Sequence, residues 1–171
     1  MFLTINKYLT KIPVLKRIYP SIVSKLLILL KKNIFIVKFR NILLRINIKD
    51  PIDKIIFYKN SYEEEQIKFI RNYIDKNKIE IFIDIGSNIG IYSLIVGKNY
   101  KKIKILSFEP VHNTFNNLNY NVHLNSLKRN IRTFNFGLSN KSGTKKMIAF
   151  KKNNYIQSGG YSFYIPKRKL F

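Results

Sequence analysis

The sequence predicts an α/β protein in which parallel strands carry covering helices, preceded by an N-terminal helix and β-hairpin region. Three observations carry this prediction. From Ile79 onward, strand-like and helix-like segments alternate, and two such crossovers imply a parallel sheet with right-handed connections. A turn of pattern D-x-G-x-N-x-G, Asp84 to Gly90, follows the first of those strands. Upstream, "NIFIVKF" and "ILLRINI" flank Arg40-Asn41, which reads as a hairpin. The chain divides accordingly into residues 1–49, basic helices and hairpin, and residues 50–171, the alternating part.

Taken in order, the first 32 residues read as short helices punctuated by Pro13 and Pro20. Leu15, Ile18, Ile22, Leu26 and Leu29 recur at helical spacing, with Lys16, Lys25 and Lys31 elsewhere on the surface. Such a stripe commonly packs on its own domain. A basic amphipathic helix also suits peripheral contact with an anionic membrane. The hairpin strands Asn33–Phe39 and Ile42–Ile48 follow, then a turn and short helix in "KDPIDKIIFYKN". "SYEEEQIKFIRNYIDKN" is a predicted helix. Ser61 and Glu64 have the spacing of a capping box, Glu63, Glu64 and Glu65 sit at the positive end of the helix dipole, and Ile67, Ile70 and Ile74 form the buried stripe.

The alternating part begins with "IEIFIDI" as a strand and Ile89 to about Gly97 as a helix. Ile103–Glu109 is the second strand, Asn113–Ser126 a helix carrying Phe115, Leu118 and Val122, and Ile131–Phe136 the third strand. Asn140–Gly143 is a turn, "TKKMIAF" an antiparallel extension, and the tail from Lys151 has no clear period.

With 171 residues and a hydrophobic fraction of 46%, the chain suits one domain with an ample core. Its 32 bases against 9 acids give +23, which favours anionic partners. Ile, Asn, Lys, Tyr and Phe, all with A/T-rich codons, dominate throughout, so genomic composition is the expected main source of the charge. The absence of cysteine excludes disulfides and thiolate metal sites; no metal site is expected, and a reducing, cytoplasmic location fits. The N-terminus lacks a signal-peptide pattern. "LLILL" is stopped by Lys31 and Lys32, far short of the roughly 20 apolar residues of a bilayer span.

The turn after Asp84 separates candidate ligands. Ligands of open parallel sheets bind beyond the carboxyl ends of the strands. Gly86 allows a sharp turn, Gly90 allows a close approach, and the helix start offers unpaired amides. A dinucleotide fingerprint G-x-G-x-x-G fails, because Asn88 stands at its second glycine; a phosphate loop fails too, because Ile91 stands five positions after Gly86. An acid at the strand end would repel a pyrophosphate but suits a cationic amino group. Glu109, 19 positions past Gly90, is placed to accept from ribose hydroxyls. An amino group at one end and a ribose at the other describe S-adenosylmethionine.

"FIDIGSNIGIYSL", "LSFEP" and "FGLSNKSG", with "DPIDKIIFYKNSYEEE" upstream, resemble the FkbM family of S-adenosylmethionine-dependent methyltransferases, from about Asp50 to Phe150. The resemblance implies a partial Rossmann-like methyltransferase fold. It places Asp84, Gly86, Ser87, Asn88 and Gly90 around the methionine part of the cofactor and Glu109 at the ribose. Leu138, with Ser139, falls towards the adenine. Tyr62 and Glu63 match the family's Tyr-Glu pair and are expected to face the same pocket; the alternative is a helix cap with a solvated acid. The implied reaction is O-methylation of a hydroxyl on a sugar or secondary metabolite. No residue identifies itself as the catalytic base. His112 and His123 are the titratable candidates, and surface histidines are the commoner case.

The sequence departs from the family after Phe150, where no acidic "D-x-E-G"-like signature follows. Three parallel strands would all lie on one side of the point where strand order reverses, leaving "IFIDI" as an unpaired apolar edge. The expectation is therefore the N-terminal part of a methyltransferase (a frameshifted product, a split product or an incomplete sequence), active only if the missing C-terminal half is supplied, for example by a separate chain. A binding or scaffold protein that kept the half-site is the alternative. A nucleic-acid methyltransferase or RNA-binding module is less expected, because no RNA-reading motif is visible.

Overall fold

The computed structural model describes the backbone of residues 13–152 and 155–163, and the side-chain surroundings of residues 18–149 and 159–161. The architecture is the expected α/β, Rossmann-like arrangement behind a helix and hairpin. Helix α1 (Pro13–Leu29) leads into the antiparallel hairpin β1 (Ile34–Phe39) and β2 (Ile42–Asn47). Helices α2 (Pro51–Lys59) and α3 (Glu64–Lys76) follow. Strand β3 (Ile81–Ile85), helix α4 (Ile91–Asn99), strand β4 (Lys104–Phe108), helix α5 (His112–Leu124) and strand β5 (Ile131–Phe134) form the alternating part. Its three strands are parallel, in the order β3-β4-β5.

Hydrophobic burial joins hairpin and sheet. Phe39, Ile42, Leu44 and Ile46 of the hairpin are almost wholly buried and belong to the same cluster as Leu94, Ile105 and Leu118. Helix α5 also treats β2 as a strand would. The Asn125 side chain accepts from Leu43 N–H at 2.8 Å and donates to Leu43 C=O at 2.7 Å. Asn121 Oδ1 accepts from Arg45 N–H at 2.7 Å, and Asn117 Nδ2 donates to Arg45 C=O at 3.2 Å. Side-chain amides four residues apart thus satisfy a sheet edge that would otherwise be open.

Helix α1 corrects the reading of its segment. It runs through Pro20 instead of breaking there. Tyr19, Val23, Leu27 and Ile28 pack on the core, and Ser24 is hydrogen-bonded to Tyr58 at 3.0 Å. This packing offsets the backbone bond that Pro20 removes. The stripe expected to be buried is instead the outer one: Ile18, Ile22, Leu26 and Leu29 are 50%, 60%, 53% and 79% exposed. Leu15, expected with them, lies outside the described side chains.

Two further corrections concern α3 and the C-terminal strands. Ser61 is not a cap. Helix α3 starts at Glu64 with Glu63 as its N-cap, at φ 40°, and no side chain caps it. Glu64 reaches Tyr62 N–H at 3.3 Å instead. The expected antiparallel extension is a separate hairpin. Strand β6 (Met147–Lys152) pairs with β7 (Tyr155–Phe163), drawn from the tail expected to be aperiodic, and not with the parallel sheet.

The edge expectation holds. Among the described residues β3 has only β4 beside it. Ile81, Ile83 and Ile85 are 54%, 54% and 66% exposed. Phe82, Asp84, Ile105, Ser107 and Ile131 face the packed side, whereas the opposite face, with Lys104 and Leu106, is open.

Candidate functional site

Strand β3 delivers Asp84 to the end of the sheet, and the next residues turn on φ values that few side chains adopt. Gly86 stands at φ 78°, and a Cβ there would meet nothing within 4 Å; conformation alone selects glycine. Gly90, at φ 91°, is the N-cap of α4, and a Cβ would lie 2.5 Å from Leu118 Cδ1. Its close approach is therefore to helix α5. Asn88 also has a positive φ of 50°, which asparagine tolerates better than most.

The loop is tied to strand β4. Gly86 and Ser87 N–H both donate to Phe108 C=O, at 2.9 and 3.0 Å. Ser87 is buried, and its hydroxyl donates to Asp84 C=O at 2.9 Å. These groups hold the turn and present little to a ligand, which narrows the expected part of Ser87. Ile91 and Tyr92 N–H, at the start of α4, have no acceptor among the described residues.

The two acids occupy adjacent strand ends. Asp84 is buried. Its Oδ2 accepts from Ser93 N–H at 3.2 Å and Ser93 O–H at 2.5 Å, and Ser93 Oγ lies 2.6 Å from Ser107 Oγ. Burial raises the Asp84 pKa, and the Ser93 hydrogen bonds oppose that rise. Glu109 Oε2 accepts from Asn88 N–H at 3.0 Å, and Oε1 from Val111 N–H at 2.9 Å. Burial raises its pKa too, against both backbone bonds. Glu109 thus clamps the loop to the start of α5, a structural role that the sequence did not reveal. Each Glu109 carboxylate oxygen still has a lone pair to offer. Asn88 Oδ1 is buried with no partner among the described residues.

Tyr62 and Glu63 reach this region. The Tyr92 hydroxyl, in the first turn of α4, donates to Glu63 Oε2, and the Tyr62 and Tyr92 ring centroids are 6.4 Å apart. Burial, then Glu63, Asp50 and Asp84, push the Tyr62 pKa up to about 12. Leu138 is 45% exposed. Its neighbour Gly137 lies against Pro110, beside Glu109. His112 and His123 are exposed. His112 Nδ1 meets Asn135 Oδ1 at 3.1 Å, and neither imidazole touches Asp84, Glu63 or Tyr92 among the described residues.

Sequence reading missed Tyr92 and Ser93. A detectable signal existed: two hydroxyl residues in the first turn of an otherwise apolar helix. It also missed β7, where a Cβ at Gly159 would lie 3.4 Å from Ile52 Cδ1 and 3.9 Å from Asn88 Nδ2. The last hairpin therefore lies against the loop.

No protein-family model matches the chain. Over 68 residues it is 35% identical to the "Methyltransferase sdnD" of Sordaria araneosa, covering 40% of this chain and 26% of that protein. The chain thus spans about a quarter of that curated relative. Among solved structures, M. jannaschii TYW2 in complex with AdoMet has 18% identity and a TM-score of 0.45, over 59% of this chain and 42% of that one. P. horikoshii TYW2 in complex with MeSAdo has 19% identity and a TM-score of 0.48, over 74% and 50%.

Proposed function

We propose that this chain forms the S-adenosylmethionine half-site of a methyltransferase that O-methylates a hydroxyl of a sugar or secondary metabolite, as its resemblance to FkbM proteins implies. One observation carries the reading: two buried carboxylates, Asp84 and Glu109, at the ends of adjacent parallel strands, joined through a glycine loop. The partial identity to sdnD supports the methyl-transfer part. The donor set fits the cofactor. Asp84 suits the amino group. The remaining lone pairs of Glu109 suit the ribose, and the unpartnered Asn88 Oδ1 suits a further donor of the ligand. Ile91 and Tyr92 N–H suit the carboxylate, as free amides at a helix start do. Gly86 and Gly90 shape the loop, Ser87 fixes it, Tyr62 and Glu63 reach the start of α4 through Tyr92, and Leu138 follows Gly137, which lies against Pro110.

When bound, the cofactor supplies an electrophilic sulfonium methyl. The protein's part is to orient the acceptor hydroxyl, exclude water and take its proton. The open edge of β3 suits a further parallel strand, from a separate chain or segment, which would close the second wall.

Calorimetric titration with S-adenosylhomocysteine tests the half-site. Saturable binding that disappears in Gly86→Val supports it, and absence of binding overturns it. Methyl transfer from labelled S-adenosylmethionine to a panel of sugars, with transfer RNA as the alternative acceptor, tests the substrate class.

A further inference from the structure

We infer that the outer face of helix α1 is a docking surface for an anionic lipid bilayer, with the helix lying in the plane of the interface. The face is apolar and in water. Ile18, Ile22, Leu26 and Leu29 are each at least half exposed. At 3.6 residues per turn they fall within an arc of about 80°. The stripe runs roughly 16 Å along the helix, too short to cross a bilayer and suited to lying on one. The opposite face is already spent on the core through Tyr19, Val23, Leu27 and Ile28. The helix therefore has no need to turn over to reach a membrane.

Charge decides the occupant. The bases are spread over the chain, but the acids are not: all nine lie between Asp50 and Glu109. Residues 1–49 hold 11 Lys and Arg and no acid. Lys25 is exposed beside the stripe, and Lys31 and Lys32 are exposed at the end of the helix. Lys54 of α2 is half-buried, and burial, then the repelling charge of Lys25, lower its pKa. Among the described residues neither Lys25 nor Lys54 has an acidic partner. Lipid phosphates and serine carboxylates would supply the missing counter-charge while the acyl boundary takes the isoleucines and leucines. A second copy of the chain would meet the same lysines with its own, and nucleic acid would leave the apolar stripe in water.

The test uses the full chain and flotation with phosphatidylcholine vesicles, with and without about 30% phosphatidylserine. The expected result is binding to the serine-containing vesicles only. The double variant Ile22→Gln/Leu26→Gln should weaken it at least about tenfold, with an unchanged melting temperature, because both side chains are already in water. Lys25→Gln/Lys54→Gln should weaken it less, by an amount that shrinks as salt rises. Four results overturn the inference: no vesicle binding; equal binding without phosphatidylserine; a melting temperature lowered by the glutamines, which would mean that protein covers this face; or a dimer that the glutamines dissolve. RNA retention that the glutamines leave intact, without vesicle binding, would reassign the charge to nucleic acid.

Discussion

Gly90 separates two reasons for a glycine, because Gly86 in the same loop has only one of them. Both have positive φ, 78° at Gly86 and 91° at Gly90, but a Cβ meets nothing at the first and lies 2.5 Å from Leu118 Cδ1 at the second. Gly86→Ala should therefore cost the conformational term alone, about 1–2 kcal/mol. Gly90→Ala adds a collision with a leucine that is 0% exposed. Carbon contacts are optimal near 3.5–4.0 Å, so the overlap is about 1–1.5 Å and the buried Leu118 side chain must shift within the core. Overpacking of this kind costs about 1–3 kcal/mol, which brings Gly90→Ala to about 2–5 kcal/mol. Leu118→Ala alone should cost about 2–5 kcal/mol as a cavity. The double variant should cost less than the sum by about the collision term. Urea unfolding of the wild type and the four variants measures all of these. Equal costs for Gly86→Ala and Gly90→Ala, or strict additivity with Leu118→Ala, would refute the assignment of the close approach to α5.

Other outcomes follow from the site and the edge. Glu109→Gln, which keeps the shape and removes the charge, should weaken S-adenosylhomocysteine binding by about 1.5–3 kcal/mol; unchanged affinity by calorimetry would remove Glu109 from the ribose position. Asp53 is buried, with Oδ1 unpartnered and Oδ2 accepting from Asn47 N–H at 2.7 Å. Burial pushes its pKa from 3.8 to about 7. The folded state therefore holds a proton that the unfolded state has lost between those values, and stability should fall as pH rises through that window, by up to about 1.4 kcal/mol per unit, then level off. Asp53→Asn should flatten that slope in denaturation series at several pH values; an unchanged slope would clear Asp53. Finally, the chain alone should self-associate through the open side of β3. Ile83→Lys should shift it towards monomer in sedimentation velocity, and a monomeric wild type would count against an exposed sticky edge.

Much of the fold was legible because its signals were local. An apolar run, an acid and two spaced glycines specify a strand, a turn and a helix, and the structure puts Asp84, Gly86, Asn88, Gly90 and Glu109 around one turn. The legible part ended where two local patterns competed. Helix α1 is apolar on both faces, so periodicity found the stripe Ile18–Leu29 but could not say which face the core would take. Ser61 and Glu64 have the right spacing for a capping box, yet the positive φ at Glu63 and its bond from Tyr92, both tertiary effects, move the helix start past Ser61. The bonds from α5 to β2 were hidden by composition: where asparagine is common everywhere, three of them at four-residue spacing do not stand out.

Those asparagines have a metrical consequence. Four residues of helix rise about 6.0 Å, and two residues of strand advance about 6.6–6.8 Å. A helix running beside a strand can therefore match it rung for rung over a short distance, and Asn125 and Asn121 mark two such rungs, at Leu43 and Arg45. A slip of one residue would swing every amide away from its partner, so the hairpin has one setting. Asn121 also donates from Nδ2 to Ile89 C=O at 3.0 Å, inside the loop between β3 and α4. One side chain thus gauges the hairpin with one end and the loop with the other. The tight turn at Gly90 and a hairpin more than 40 residues upstream in sequence are held to a common scale by a single amide group.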